Sequence, residues 1–293
     1  MEERPLKELI LPKKQNNFSA TFKALCRNRP ALIGLVLVIL LLAFAYIGPL
    51  FFPMQDALKL GGQRLQPPGR DHWFGTDSLG RDLFARIVNG AGVTLTMGLL
   101  PVAASMLIGM LLGAMAAYFG GLFDNIIMRI CDILACIPGI LLSITLVAVL
   151  GVGLNNVLIA VTITSISGRI RYVRSVVLQI VGQDYIEVAR SCGTGTPGII
   201  FKHIIPNAVG PLLLSATSSI AGMIMLGAGL SFLGLGLEPP YPEWGSMLMD
   251  ARDHLITSPH MFYFPGALLV ISMLAFNMLG DGLRDVLDPK LKR

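Results

Sequence analysis

Six long runs of apolar residues constrain this chain more than any other feature of its sequence. They cover residues 31–52, 91–118, 126–150, 157–177, 208–232 and 262–283. An α-helix needs about 20 apolar residues to cross the roughly 30 Å hydrocarbon core of a bilayer, and each run has about that length or more. The sequence therefore predicts an all-α integral membrane protein with six transmembrane helices, surrounded by the lipid bilayer.

The composition and the placement of charge agree with a membrane protein. Hydrophobic residues make up 54% of the chain and charged residues only 14%, whereas soluble domains carry about 25% charged residues. The net charge of +5 does not indicate nucleic-acid binding, because the basic residues are spread over short segments beside the apolar runs. Such segments are typical of cytoplasmic loops.

The charge asymmetry also predicts an orientation. Basic residues concentrate in the tail 1–30, after the fourth run and at the C-terminus. The loops 53–90 and 238–259 lack this excess, so we expect them to be external and both termini to be cytoplasmic. The first run is too long for the core of a signal peptide, and we expect it to remain as an anchor.

The stretch from Asp184 to Asn207 is the longest polar interruption in the second half of the chain. Its first residues mix apolar with charged side chains, a pattern typical of a helix that lies on a surface. Gly193 then breaks the pattern, Pro197 suits the first turn of a second short helix, and Pro206 punctuates the chain before the next apolar run. We call residues 184–207 the elbow, and expect a cytoplasmic helix–turn–helix there.

Familiar catalytic and binding motifs are missing from the sequence. It contains no GxxxxGK[ST] phosphate loop, no HExxH and no GxSxG. The four histidines and four cysteines have no spacing that suits a metal. We therefore expect no catalytic residue, no metal site and no cofactor in this chain. An intramembrane enzyme would need such a set of residues at membrane depth.

Ionisable residues inside the apolar runs are few. The possible intramembrane polar residues are Asp132, Asn277 and Asp281, and interhelical hydrogen bonding or capping explains them best. A stand-alone secondary transporter would normally need deeper carboxylates or histidines. Gly109 and Gly113 form a small-xxx-small pair that predicts close approach of another helix. With neither an ATP site nor a proton relay, energy is expected from a partner, received at the elbow.

The elbow and its neighbours resemble a known family. Glu187, Ala189, Gly193 and Pro206 follow the spacing of the cytoplasmic loop of bacterial ABC importer permeases, with Val188 and Ile205 as conservative departures. The stretches at residues 72–91, 116–134, 230–248 and 264–291 are similar to the dipeptide, oligopeptide and nickel branch. The C-terminal stretch resembles the second, shorter permease subunit of that branch.

The resemblance implies a MetI-like fold whose coupling helix lies between spans four and five. It implies a heterodimer with a second permease subunit, two ATP-binding subunits that bind ATP and Mg, an external solute-binding protein, and a place in the bacterial inner membrane. Peptides are the expected substrates, with nickel or a nickel chelate as the alternative. The expected ATPase-coupling residues are Asp184, Tyr185, Glu187, Ala189, Arg190, Gly193 and Pro206.

The glycine-rich end of the fifth run is a candidate external gate. Its residues are Gly227, Gly229, Ser231, Gly234 and Gly236. The same glycines could equally permit tight packing at the end of a helix, and the sequence leaves both alternatives open.

Overall fold

The computed structural model describes residues 28–60 and 63–287. The predicted tail 1–30 therefore lies almost wholly outside the described residues. Helix α1 spans Arg29–Tyr46; its first turn holds Pro30, and the side chain of Asn28 accepts a hydrogen bond from the backbone N–H of Ala31. Ile47 interrupts the helix, and two short helical segments, Gly48–Phe51 and Met54–Leu58, follow.

The second long helix, α2, spans Leu83–Phe119 and has 37 residues. It begins eight residues before the predicted start at 91, so the loop predicted at 53–90 is shorter than expected. The reason is local: the side chain of Asp82 accepts a hydrogen bond from the Ala85 N–H at 2.8 Å and caps the helix there. Before it, Thr76 and Asp82 form an isolated bridge, and the described residues contain no longer strand.

The predicted third span is not one continuous helix. Helix α3 spans Gly121–Ala135, helix α4 spans Gly139–Leu150, and the two meet at 87°. Pro138 has an extended backbone, with φ −53° and ψ 131°. Because a proline ring disfavours helical geometry in the residue before it, the helix stops before Pro138 although every neighbouring residue is apolar enough to continue.

The remaining helices include one that was not predicted, within the loop 238–259. Helix α5 spans Leu154–Val181, α6 spans Asp184–Ser191, and a turn at Thr196–Gly198 leads through a π-helical segment, Ile199–Ile204, into α7, Ile205–Phe232. Helix α8 spans Trp244–Ala251, a 3₁₀ turn covers Arg252–His254, and α9 spans His260–Leu287.

Within the described residues, four helical segments are long and apolar enough to cross a membrane: Arg29–Phe51, Leu83–Phe119, Thr196–Phe232 and His260–Val286. The bent pair α3–α4 raises the number to five if it counts as one span. Helix α5 is long enough, with 28 residues, but its asparagines and three arginines lower its hydropathy. The structure thus gives four to five apolar spans.

Helix α2 lies at the centre of the packing and contacts α1, α5 and α7, while α9 packs on α1 and α7. The predicted close approach at Gly109 and Gly113 is confirmed. A Cβ at Gly109 would lie 2.9 Å from the Cβ of Arg169, and one at Gly113 would lie 2.7 Å from the Ile170 carbonyl oxygen. Since real side chains do not tolerate such distances, α2 and α5 can pack this closely only with glycine there.

Candidate coupling site

Helix α6 of the elbow is anchored by one buried side chain. Ile186 is fully buried and belongs to an apolar cluster with Val177 of α5, Ile199 of the π-helical segment and Ala117 of α2. Helix α6 therefore shares one apolar cluster with α2, α5 and the π-helical segment. A displacement of α6 would be transmitted to them because packed interiors resist deformation.

Most of the remaining surface of α6 is exposed. Asp184, Tyr185, Glu187 and Arg190 are exposed, and Ala189 is half-buried. Within the described part of the chain, the first three of these side chains form no hydrogen bond or ion pair. Arg190 lies over the ring of Tyr118, 5.5 Å from its centroid, which ties α6 to the end of α2. Asp184, Tyr185 and Glu187 thus form an exposed polar surface on a helix that Ile186 anchors, while Gly193 and Pro206 lie outside α6.

Gly193 makes the turn of the elbow, as its sequence context predicts. Its φ is +79°, a left-handed conformation that costs residues with a Cβ about 1–2 kcal/mol. The Gly193 N–H donates to the Arg190 carbonyl at 3.0 Å and the Thr194 N–H to the Ala189 carbonyl at 3.1 Å. No atom lies within 4 Å of where a Cβ would stand, so the requirement for glycine comes from the backbone alone.

The two prolines of the elbow behave differently. Pro197 occupies the first turn of a helix, as predicted. Pro206 does not interrupt the chain, and the expected break before the fifth run is wrong: helix continues from Thr196 to Phe232. The π-helical turn explains this, since the Ile205 N–H donates to the Ile200 carbonyl five residues back. This wider turn accommodates a proline that has no N–H to donate.

The candidate gate is tightly packed for most of its length. A Cβ at Gly227 would lie 3.0 Å from the Cβ of Met97, and one at Gly236 would lie 2.1 Å from the Ser231 Oγ. Gly234 has φ +81°, while a Cβ at Gly229 would meet no atom within 4 Å. Ser231 is almost fully buried and lines a small cavity of about 80 Å³ with Gly234 and Gly236. The close contacts account for the glycines as packing residues, and a gating role stays a prediction.

A buried carboxylate that the sequence analysis missed lies beside this segment. Glu243 is completely buried. Its carboxylate caps α8 by accepting from the N–H groups of Gly245 and Ser246 at 2.8 Å, and from the Thr94 hydroxyl at 3.1 Å. Burial raises the pKa of Glu243, and these hydrogen bonds oppose that rise. An acidic residue directly before an apolar helix start is the signal that could have found it.

The three polar residues predicted within spans lie on two helices, Asp132 on α3 and the other two on α9. Asp132 accepts from Arg171 of α5 at 2.9 Å and lies 3.9 Å from Arg129, so its stronger partner is the interhelical one. Asn277 and Asp281 are exposed on α9. Within the described residues neither forms a hydrogen bond or ion pair.

Two further polar contacts involve α5. Arg174 pairs with Asp124 of α3 through two nitrogens. Arg169 is 7% exposed and donates from Nη1 to the hydroxyl and the carbonyl oxygen of Ser215, at 2.8 and 3.3 Å. In the sequence these arginines stand out only as the positive end of a run, and nothing in their spacing shows which of them faces a carboxylate.

A buried charged cluster at the start of α2 was also missed. Asp77 accepts from the Nε of Arg81 at 2.6 Å and lies 3.4 Å from the Nε of Arg86. All three side chains are at most 5% exposed. The cluster joins the start of α2 to the loop before α8, because Arg86 also donates to the Pro240 carbonyl at 3.2 Å. The grouping of charged residues in the loop before α2 was the only sequence signal for this cluster.

The helices and the elbow define a class: a multi-pass membrane protein in which a charged surface helix is packed rigidly onto its spans. The family comparison places the chain within that class. Residues 109–293 match the model of the binding-protein-dependent transport system inner membrane component, and residues 17–68 match the N-terminal TM domain of oligopeptide transport permease C. The chain belongs to this family of bacterial ABC importer permeases. It is a multi-pass protein of the bacterial inner membrane and a transport component.

Individual relatives agree over nearly the whole chain. The glutathione transport system permease protein GsiD of Pectobacterium atrosepticum is 45% identical over 91% of this chain and 89% of the relative. The dipeptide transport system permease protein DppC of Alkalihalophilus pseudofirmus is 42% identical over 92% and 89%. The oligopeptide transport system permease protein OppC of Bacillus subtilis is 40% identical over 91% and 87%.

The fold has a counterpart among solved structures. A chain of the MetNI methionine ABC transporter, solved in inward-facing conformations, superposes with a TM-score of 0.56. It is 21% identical and covers 69% of this chain and 96% of its own length. At that identity the likeness shows the fold alone, and it confirms the MetI-like helical arrangement that the resemblance implied.

Proposed function

We propose that this chain forms half of the translocation path of an ATP-driven peptide importer and couples that path to separate ATPase subunits through the elbow. The observation that carries the proposal is the two-sided character of α6. Ile186 anchors it to the core, and its exposed carboxylates, Asp184 and Glu187, have no partner among the described residues. A movement of an ATPase subunit docked there would therefore be transmitted to the helices packed around Ile186.

The relatives support the choice of peptide as substrate. Those compared above are named for glutathione, dipeptides and oligopeptides, which are all short peptides. The same names disfavour nickel. The family further supports a second permease subunit, two ATP-binding subunits and an external solute-binding protein as partners, with ATP and Mg bound outside this chain.

The coupling mechanism needs no chemistry in this chain. ATP-driven movement of the ATPase subunits would displace α6, and the Ile186 cluster would pass that displacement to α2, α5 and α7. The helices would then shift between two arrangements, of which ATP favours one. Glu187 and Arg190 would make the charged contacts with the ATPase, and Gly193 would keep the turn sharp.

Uptake into proteoliposomes tests the proposal. The assembled transporter with its binding protein should import a radiolabelled dipeptide or tripeptide only when ATP is supplied inside, and Ni²⁺ should not accumulate in parallel vesicles. Uptake by this chain alone under an ion gradient would indicate a secondary transporter instead. Chemical turnover by the purified chain without any ATPase would indicate an intramembrane enzyme.

A further inference from the structure

Arg169 lies close to the middle of α5. It is the sixteenth of 28 residues in Leu154–Val181, or about 22 Å along the helix from its start at 1.5 Å per residue. Its side chain is 7% exposed. Ionisable residues at such positions are rare and mark substrate or ion pathways by default, because an uncompensated charge away from water is costly.

Two neighbouring arginines on the same helix show how the chain treats charges with permanent partners. Arg171 meets Asp132 and Arg174 meets Asp124, both on α3. Within residues 28–60 and 63–287, no carboxylate lies within ion-pair distance of Arg169. Its hydrogen bonds use Nη1 alone, so Nε and Nη2 remain available as charge-assisted donors.

Ser215 adds a further donor at the same place. Its Oγ accepts from Arg169, and no described acceptor takes the hydrogen of its own hydroxyl. By contrast, Ser218 and Ser219 donate to helix carbonyls at 3.1 and 2.7 Å. The Arg169 guanidinium and the Ser215 hydroxyl therefore present donors together, the arrangement that binds a carboxylate.

Two exposed glycines lie on the helices that carry this pair. Gly168 and Gly222 are exposed, and a Cβ at either would meet no atom within 4 Å. Ser218 is exposed on the same face of α7 as Gly222. A lipid-facing surface would carry larger apolar side chains, as do the exposed parts of α1, so this face suits a polar occupant.

We propose that Arg169 and Ser215 form a transient binding site for the C-terminal carboxylate of a peptide crossing the membrane. This inference rests on the proposed peptide transport. A terminal carboxylate is present in every unmodified peptide whatever its side chains, so one arginine can serve many sequences. The described residues supply no carboxylate to Arg169, so its charge is free to form an ion pair with the substrate while the substrate is present.

The test compares trialanine with its C-terminal amide in ATP-driven uptake by the assembled transporter, with the binding protein saturated by each peptide in turn. Saturation removes the binding protein's own preference from the rates. The wild type should import the free acid about tenfold faster, the effect of one charged hydrogen-bonded contact. Arg169→Gln should reduce this ratio to about one, and Arg169→Lys should keep it above one.

Arg171→Gln is the matched control, since it makes the same substitution two residues away on a side chain that pairs with Asp132; it should leave the ratio unchanged. Ser215→Ala should lower the ratio partway, and it decides the question if Arg169→Gln does not assemble.

An unchanged ratio in Arg169→Gln or a wild-type ratio of one would overturn the inference, as would an unchanged ratio in Ser215→Ala. Loss of assembly in both Arg169 variants would also overturn it, because the charge would then pair permanently with a partner subunit. Absence of any wild-type peptide uptake would instead refute the proposed function.

Discussion

Arg174 of α5 holds Asp124 of α3 at two points, with Nε and Nη2 each 2.5 Å from a carboxylate oxygen. Asp124 lies in the first turn of α3, and Asp132 near its other end contacts Arg171. Two ion pairs therefore fix α3 along α5. This fixation gives α3 a defined position although the break before Pro138 separates it from α4.

Asp124→Asn should loosen α3. The side chains of Asp124 and Arg174 are 15% and 31% exposed, so the loss should be about 1–2 kcal/mol, between exposed and buried charged contacts. The midpoint of thermal unfolding of the purified protein measures it. Arg129→Gln is the control, because Arg129 is 84% exposed and lies 3.9 Å from Asp132. Equal midpoints for the two variants would contradict the assigned role of the pair.

Gly193→Ala should weaken transport and lower stability by about 1 kcal/mol, since it forces a Cβ into a left-handed conformation. Gly195→Ala is the matched control two residues away: Gly195 has φ −63°, and its added Cβ would reach only the Pro197 Cδ at 4.0 Å. Peptide imported per ATP hydrolysed should fall in the first variant and stay normal in the second. Normal coupling in Gly193→Ala would show that the sharp turn is not needed.

Glu187→Lys should uncouple ATP hydrolysis from transport while leaving insertion and folding unchanged. Glu187 is exposed and has no ion-pair partner among the described residues, so the substitution alters only what α6 presents to a docked subunit. Thermal unfolding checks the fold, and parallel assays of ATP hydrolysis and peptide uptake check coupling. Transport at the wild-type rate would rule out Glu187 as a coupling residue.

Glu243→Gln should change the pH dependence of stability. Burial raises the pKa of Glu243 above its ordinary value of 4.5, so its contribution to stability is fully present below pH 4.5 and is lost as pH rises through the folded pKa. The unfolding midpoint of the wild type relative to Glu243→Gln should therefore fall as pH increases from 4.5. Glu238→Gln, at an exposed position, serves as control. A difference that does not vary with pH would refute this assignment.

Gly236→Ala should destabilise the glycine-rich end of α7 by about 1–3 kcal/mol, the usual cost of overpacking. Its added Cβ would stand 2.1 Å from the Ser231 Oγ and 2.7 Å from the Ser231 Cα. Gly229→Ala adds the same methyl group where no atom lies within 4 Å and should leave the unfolding midpoint unchanged. If Gly229→Ala alone impairs uptake while the fold is intact, the open position would be the part of this segment that gates.

The elbow illustrates how far sequence reasoning reaches. Its position, the helix at 184–191 and the turn at Gly193 were predictable, because charge pattern and glycine chemistry act locally. The effect of Pro206 was not, since it depends on the π-helical segment Ile199–Ile204 that precedes it. Ile186 was one of several apolar residues in a mixed helix, and only its packing between α2, α5 and the π-helical segment identifies it as the anchor.

Sequence alone determined the helical class, the approximate spans and the cytoplasmic character expected of the elbow. Hydropathy and charge are sums over neighbouring residues and need no knowledge of the fold. Tertiary structure decided where the third span breaks and that Glu243 is buried. It also decided that two of the three arginines on α5, Arg171 and Arg174, have a carboxylate opposite them. Those outcomes depend on which distant residue a side chain faces. Arg169 and Arg171 are two positions apart, yet helical geometry turns one toward Ser215 and the other toward Asp132.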